Sequence, residues 1–230
     1  MRVKKATSYD ELLDVYRLRY KVYCLERGYE RPEDYPAGLE TDIYDPYSLH
    51  FVAYVKSVPV GTVRLILQNP HGFPVERHCN VDTRSICQHG EKVAEISRLA
   101  VSSEATKDIC IERGKITLGL IRELYSASRE LGIGCLVSAM SLPLERLLKR
   151  CGLKFLKAGP AVDYHGLRTP YFAACEDLER ELFNRRKDLL AFFLPESADL
   201  AVHAASTNLF GGRRTEVGVG GWLISPLLQE

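Results

Sequence analysis

Residues 93–101 read Val-Ala-Glu-Ile-Ser-Arg-Leu-Ala-Val, the composition of a buried β-strand, yet the run holds Glu95 and Arg98. Any sheet that takes in this strand must supply counter-charges or a chemical use for both groups. Residues three apart face opposite sides of a regular strand, so the pair shares one site only if the strand is bulged. Without a bulge, Arg98 braces an acidic loop from the other face, and Asp42 or Asp45 is its expected partner. Glu95 has two readings. It is either the ion-pair partner of Arg64 or Arg98, or a carboxyl whose pKa burial raises into the range of a general base.

The segments around this strand set the fold class. Residues 49–67 alternate as two strands about a turn near residues 57–59, so residues 49–101 carry a run of antiparallel strands. Ahead of them lie a short strand at 1–7 and a helix. Ser8 and Glu11 form a capping-box pair for that helix, and Gly28 marks its stop. Arg19 and Tyr23, four apart, share one of its faces. Residues 29–48 and 68–91 read as loops, rich in Pro and Gly. A helix over 111–131, a buried strand at 135–140 and a helix closed by Gly152 follow. The pattern then gives two strands, at 153–159 and 169–176, and one charge-patterned helix over 176–194. The reading is an α+β chain, an αβα sandwich with a mixed, mainly antiparallel central sheet. It makes one domain over 1–194, and the Gly-rich stretch 195–230 is expected to be a flexible or partner-dependent tail.

Net charge is only +1, so no global field draws the chain to nucleic acid. No run approaches the ~18 apolar residues of a membrane span, and the basic N-terminus lacks the apolar stretch of a signal peptide. Stable membrane insertion is therefore not expected. Seven scattered cysteines read as reduced thiols of a cytoplasmic protein rather than a disulfide framework. His78, Cys79, Cys87 and His89 are zinc-ligand types, but their spacing matches no structural-zinc pattern, so no metal is expected. Cys135, in a buried run, reads as core rather than nucleophile.

Four blocks occur in order: Arg-Tyr-Lys-Val-Tyr with Arg19 and Tyr23, Glu-Thr-Asp-Ile-Tyr-Asp with Asp42 and Asp45, Gly-Thr-Val-Arg-Leu with Gly61 and Arg64, and Glu-Ile-Ser-Arg with Glu95, Ser97 and Arg98. Together with the element order they resemble the GNAT-type acyltransferases. The closer likeness is to the autoinducer (acyl-homoserine lactone) synthases and to their relatives, the N-acyl amino acid synthases and the PEP-CTERM/exosortase-associated acyltransferases. Autoinducer synthases usually carry a tryptophan soon after the first block. Here the nearest aromatic is Tyr29 and the only Trp is Trp222, a departure that weighs against S-adenosylmethionine as acceptor.

The resemblance implies a bacterial N-acyltransferase that moves a long acyl chain from an acyl-carrier-protein or coenzyme A thioester to the amine of an amino acid or related small molecule. No tightly bound cofactor is implied. The alternatives are an acyl-homoserine lactone synthase consuming S-adenosylmethionine, a short-chain acetyltransferase, and a non-catalytic acyl-thioester-binding protein. By the same resemblance, Glu95, Arg98 and Arg64 are the catalytic candidates. Arg19, Tyr23, Tyr29, Asp42, Asp45 and Ser97 are expected on the acceptor side. The fourth and fifth strands, 93–101 and 135–140, are expected to splay and hold the donor arm, with Leu99 and Val101 at the gap. Arg113, Gly114 and Lys115 open the following helix, where free N–H groups favour phosphate. Arg113, Lys115, Arg122, Lys149, Arg150 and Lys154 are candidate contacts for an acidic carrier protein. Residues around 135–140 and 142–148 are candidates for the wall of an acyl tunnel.

Overall fold

The computed structural model describes residues 1–194 apart from 88, 89, 108 and 110. The expected tail and His89 lie outside the described residues.

The chain runs β1 (Arg2–Lys5), α1 (Tyr9–Tyr20), a π-helical turn (Lys21–Glu26), β2 (Ser48–Val55), β3 (Val58–Ile66), α2 (Pro74–Cys79), α3 (Thr83–Ile86), β4 (Lys92–Val101), α4 (Arg113–Glu130), β5 (Ile133–Met140), α5 (Leu142–Arg150), β6 (Leu156–Lys157), β7 (Val162–Asp163), β8 (Leu167–Ala174), α6 (Cys175–Arg185) and α7 (Lys187–Phe193). The sheet order is β1-β2-β3-β4-β5-β8-β6, with β7 paired to β8. Every pairing is antiparallel except β4 with β5. That one parallel pair requires a crossover, which α4 supplies.

The period-2 rule divides the sheet into two faces. Phe51, Val63, Leu65, Ala94, Ile96, Leu136, Tyr171 and Ala173 belong to the main core with Ile116, Leu120 and Leu124 of α4 and with Leu178, Leu182, Leu190 and Phe193 of α6 and α7. Ile66, Cys135 and Val137 turn the other way and pack with Phe73, Val75 and Cys79 around α2. The capping box of Ser8 and Glu11 closes the start of α1, and Gly28 follows the π-turn with φ +62°. A two-residue turn joins β2 to β3, with Lys56 and Ser57 both at positive φ, the geometry that matches strand twist in a tight hairpin.

Several expectations need correction. Residues 68–91 are not a plain loop, because Pro at the first position and Glu76 at the third start α2, and Asp82 caps α3 through the N–H of Arg84. The strand expected over 153–159 shrinks to Leu156–Lys157 at the sheet edge. The single helix expected over 176–194 breaks at Arg186, whose guanidinium is turned to the Asp188 carboxylate and to the Arg150 carbonyl. Cys87 and Cys135 are not two reduced thiols. The chain leaving α3 returns to β5 and brings their Cα atoms to 6.0 Å, within reach of the disulfide they form. Cys24, Cys79, Cys151 and Cys175 are free and buried.

Candidate active site

Three buried arginines and three acidic side chains make one network on the α1 side of the sheet. His50 of β2, Arg64 of β3 and Ser97 of β4 lie opposite one another in the ladder, so they form a row across that face. Arg64 donates through Nε to Ser97 Oγ at 2.9 Å, through Nη1 to Asp42 and Asp45 at 2.6 Å each, and through Nη2 to Asp42 at 2.9 Å. Arg19 comes down from α1, with Nε on Glu40 and Nη1 on Asp45 Oδ1 at 2.6 Å.

Arg98 reaches the same face because β4 is bulged. Thr62 pairs with Ala100 and Arg64 with Ser97, so β4 spends one residue more than β3, and Arg98 sits at φ +48°. Its guanidinium donates to Glu40 Oε1 at 3.1 and 3.0 Å and lies 3.2 Å from Asp42 and 3.6 Å from Glu30. Asp42, one of the two partners expected for an unbulged strand, is thus reached through the bulge, but Glu40 is the principal partner. Burial opposes ionisation of Glu40, Asp42 and Asp45, yet the arginines outweigh it and hold all three below the ordinary carboxylate range. His50 is buried with neither ring nitrogen hydrogen-bonded, Nε2 standing 3.7 Å from Asp45 Oδ1, and burial pushes its pKa down to about 4, so it is neutral.

Glu95 is different. It is 1 % exposed on the same face, yet none of the three guanidiniums hydrogen-bonds it; its Oε2 accepts the Val75 N–H at 2.9 Å. Burial pushes its pKa up to about 8, against the opposing pull of that N–H and of Arg64 and Arg98. The parallel β4–β5 ladder ends at Glu95 opposite Val137. One step on, the Ser138 hydroxyl donates to the Ile96 carbonyl at 2.8 Å, and residues 97–101 have no β5 partner among the described pairings. The sheet therefore opens directly beside this raised carboxyl.

A ring cluster flanks Arg98. Tyr23 lies 5.2 Å beneath its guanidinium and meets Tyr29 edge-on. His165, at the tight β7–β8 turn, packs against both, and Tyr164 stacks flat on His78 at 4.1 Å. Among the described residues no group of three or more His, Cys, Asp or Glu is placed to hold a metal ion.

On the donor side, Leu99 sits in the bulge and Val101 pairs with Gly61. Arg113 is exposed and folds back on the loop, donating to the Val101 carbonyl at 2.9 Å and Ser103 Oγ at 3.2 Å. Gly114 is half-buried, and Lys115 lies 3.5 Å from Glu112. Arg122 packs over the Phe192 ring, while Lys149, Arg150 and Lys154 are exposed. Sequence reasoning missed Glu40, Glu30, His50, Tyr164 and His165. Glu40 had a signal, since it opens the same acidic block as Asp42 and Asp45. The other four had none.

A mixed sheet that opens at a parallel β4–β5 pair, with helices on both faces, is the architecture of the GNAT-like acyltransferases. More narrowly, the chain belongs to the N-acyl amino acid synthase FeeM family, whose model matches residues 14–167. It is an acyltransferase of the N-acyl amino acid synthase and autoinducer-synthase type. It is 27% identical over 175 residues to an acyl-homoserine-lactone synthase of Aeromonas hydrophila, covering 73% of this chain and 81% of that one. A second such synthase, from Vibrio anguillarum, is 25% identical over 155 residues, covering 65% and 77%. The fold is similar to that of FeeM, an N-acyl amino acid synthase from uncultured soil microbes, with TM-score 0.62, 16% identity, and 78% and 93% of the two chains covered. It is also similar to the acyl-homoserine-lactone synthase LasI, with TM-score 0.55, 20% identity, and 74% and 86% covered.

Proposed function

We propose that this protein joins a long acyl chain to the amine of an amino acid or a close derivative, taking the acyl group from a carrier-protein or coenzyme A thioester. The observation that carries the reading is Glu95, a buried carboxyl held near the middle of the pH range beside the opening between β4 and β5. The amine gives its proton to the Glu95 carboxylate and attacks the thioester carbonyl. The tetrahedral oxyanion is stabilised by backbone N–H groups in the gap, an amide forms, and the thiolate leaves and takes up a proton. Arg19, Arg64 and Arg98 act chiefly by fixing the acidic loop and β4, because each is ion-paired within the set Glu40, Asp42 and Asp45. Tyr23, Tyr29 and Ser97 stand closest to the acceptor path. Apolar residues of β5 and α5 wall the acyl chain, and the exposed Lys149, Arg150 and Lys154 suit an acidic carrier surface. These donors place the reaction in the cytoplasm.

A second reading is favoured by the Aeromonas relative: the acceptor is S-adenosylmethionine and the amide then closes to a lactone. One experiment tests both. The purified protein is given acyl-carrier-protein and coenzyme A thioesters of graded length, with pooled amino acids or with S-adenosylmethionine, and products are read by mass spectrometry. An N-acyl amino acid supports the first reading. Consumption of S-adenosylmethionine with an acyl lactone supports the second. No amide from any pairing overturns both.

A further inference from the structure

Glu26 ends the π-helical turn that carries Tyr23. An acid there opposes the helix dipole, and nothing within the helix compensates it. Its partners lie far away in sequence. Oε1 accepts the Ser102 hydroxyl at 2.6 Å, and Oε2 accepts the Ser103 N–H at 2.8 Å. Burial works against ionisation of Glu26, but these hydrogen bonds win and lower its pKa.

Ser102 is a junction. It follows β4 directly and is fully buried. Its N–H donates to the Val60 carbonyl at 3.0 Å, its Oγ accepts the Ala105 N–H at 3.0 Å, and its carbonyl accepts the Thr106 hydroxyl at 2.7 Å. Ser103 also receives Arg113, the first residue of α4, at 3.2 Å. The contacts therefore run unbroken from the Tyr23 turn through Glu26 to the loop that ends β4 and begins α4. A second, exposed tie, Lys21 to Glu104 at 2.9 Å, runs parallel to it.

We propose that Glu26 is a positioning residue that locks the donor-side loop at Ser102–Ser103 to the acceptor-side helix, so that thioester and amine are held in one register. The inference rests on the acyl-transfer reading. That reading needs both reactants placed to within a fraction of an ångström, and no strand pairing joins the turn that carries Tyr23 to the loop after β4.

The test compares wild type with Glu26→Ala, Glu26→Gln, Ser102→Ala and the Glu26→Ala/Ser102→Ala double variant. Steady-state kinetics are measured with decanoyl thioesters of coenzyme A and of acyl carrier protein, and binding of the same thioesters is measured by calorimetry. Glu26→Ala is expected to raise the donor KM and Kd about tenfold and to lower kcat by about 10–100-fold. Glu26→Gln, which keeps one accepting oxygen, should recover part of the loss. The double variant should lose little more than Glu26→Ala alone, because the two act as one unit. Lys21→Met, which cuts only the exposed tie, should leave KM unchanged. Unchanged donor KM and Kd in Glu26→Ala, additive losses in the double variant, or an equal effect of Lys21→Met would each overturn the inference. So would a lower melting temperature with KM intact, the mark of a merely structural role. A wild type that neither binds nor uses any thioester would instead overturn the acyl-transfer reading, and this inference with it.

Discussion

Glu95 offers a test in which activity and stability move in opposite directions. Its carboxyl is fully buried, and its pKa stands at about 8 against an ordinary value of 4.5. As a general base it must be ionised, and at pH 7 that holds for about one molecule in ten. With the acceptor saturating, kcat should rise about tenfold per pH unit below 8 and level off above it. The acceptor amine titrates too, so Glu95→Gln is the control. It should lower kcat by about 10²–10⁴-fold and remove the limb near pH 8, leaving only that of the amine. The same burial sets the stability. The folded carboxyl holds its proton between pH 4.5 and 8 while the unfolded one has lost it, so stability falls as pH rises through that window. Raising the pKa from 4.5 to about 8 amounts to about 5 kcal/mol lost once the pH exceeds 8. Glu95→Gln carries no such penalty. Its urea midpoint should be near wild type at pH 5 and higher than wild type at pH 9. Two results would refute the reasoning: wild-type turnover in Glu95→Gln, or an activity profile that levels off near pH 4.5 with no pH-dependent stability gap.

Arg19→Met should cost about 3–5 kcal/mol in urea unfolding, because it removes the cation that Glu40 and Asp45 share and leaves them only Arg98 and Arg64. Gly61→Val should cost about 1–3 kcal/mol or more, since an added Cβ would stand 2.8 Å from Ile116 Cγ2 and 3.1 Å from Leu120 Cδ1 of α4. Replacing both Cys87 and Cys135 by Ser should cost about 4 kcal/mol under oxidising conditions, from the closed loop of 48 residues. Thiol titration of the unreduced, denatured wild type should then miss the thiols of Cys87 and Cys135, and a count of all seven would show that the bond does not form in the isolated protein.

What the sequence made legible was local or periodic. Alternation placed the hairpin, helical spacing and the capping box placed α1, and the apolar run placed β4. Charges inside a strand demanded partners, and Asp42 was found among them. What stayed hidden depended on contacts between distant segments. Glu30 lies in a loop without period, and only the fold brings it to Arg98. Tyr164 and His165 enter the site because a tight turn at His165 and Gly166, both at positive φ, folds them back over Tyr23 and Tyr29. Cys87 and Cys135 become neighbours only once α2 and α3 lie across β5. Gly61, a motif residue, could be taken for a turn glycine. Its φ is not positive, and what requires it is the close approach of α4.

The bulge in β4 ties the remaining features together. A non-glycine residue in the left-handed region costs about 1–2 kcal/mol, and Arg98 pays it at φ +48°. In return the extra residue turns Arg98 onto the face that holds Glu40 and Asp42, which a regular strand would deny it. A bulged strand also bends, and this bulge begins past Ser97, two residues beyond Glu95, where the β4–β5 ladder stops. One backbone irregularity thus completes the charge network close to where the sheet opens beside the raised carboxyl. Arg98→Gly separates the two energies. Glycine relieves the strain of positive φ but leaves Glu40 and Asp42 short of a cation. If the network dominates, the variant loses about 1–4 kcal/mol, the difference between a broken buried pair and the strain released. Urea unfolding reads the sign directly, and a variant more stable than wild type would mean that Arg98 is kept for its chemistry at the site and not for the fold.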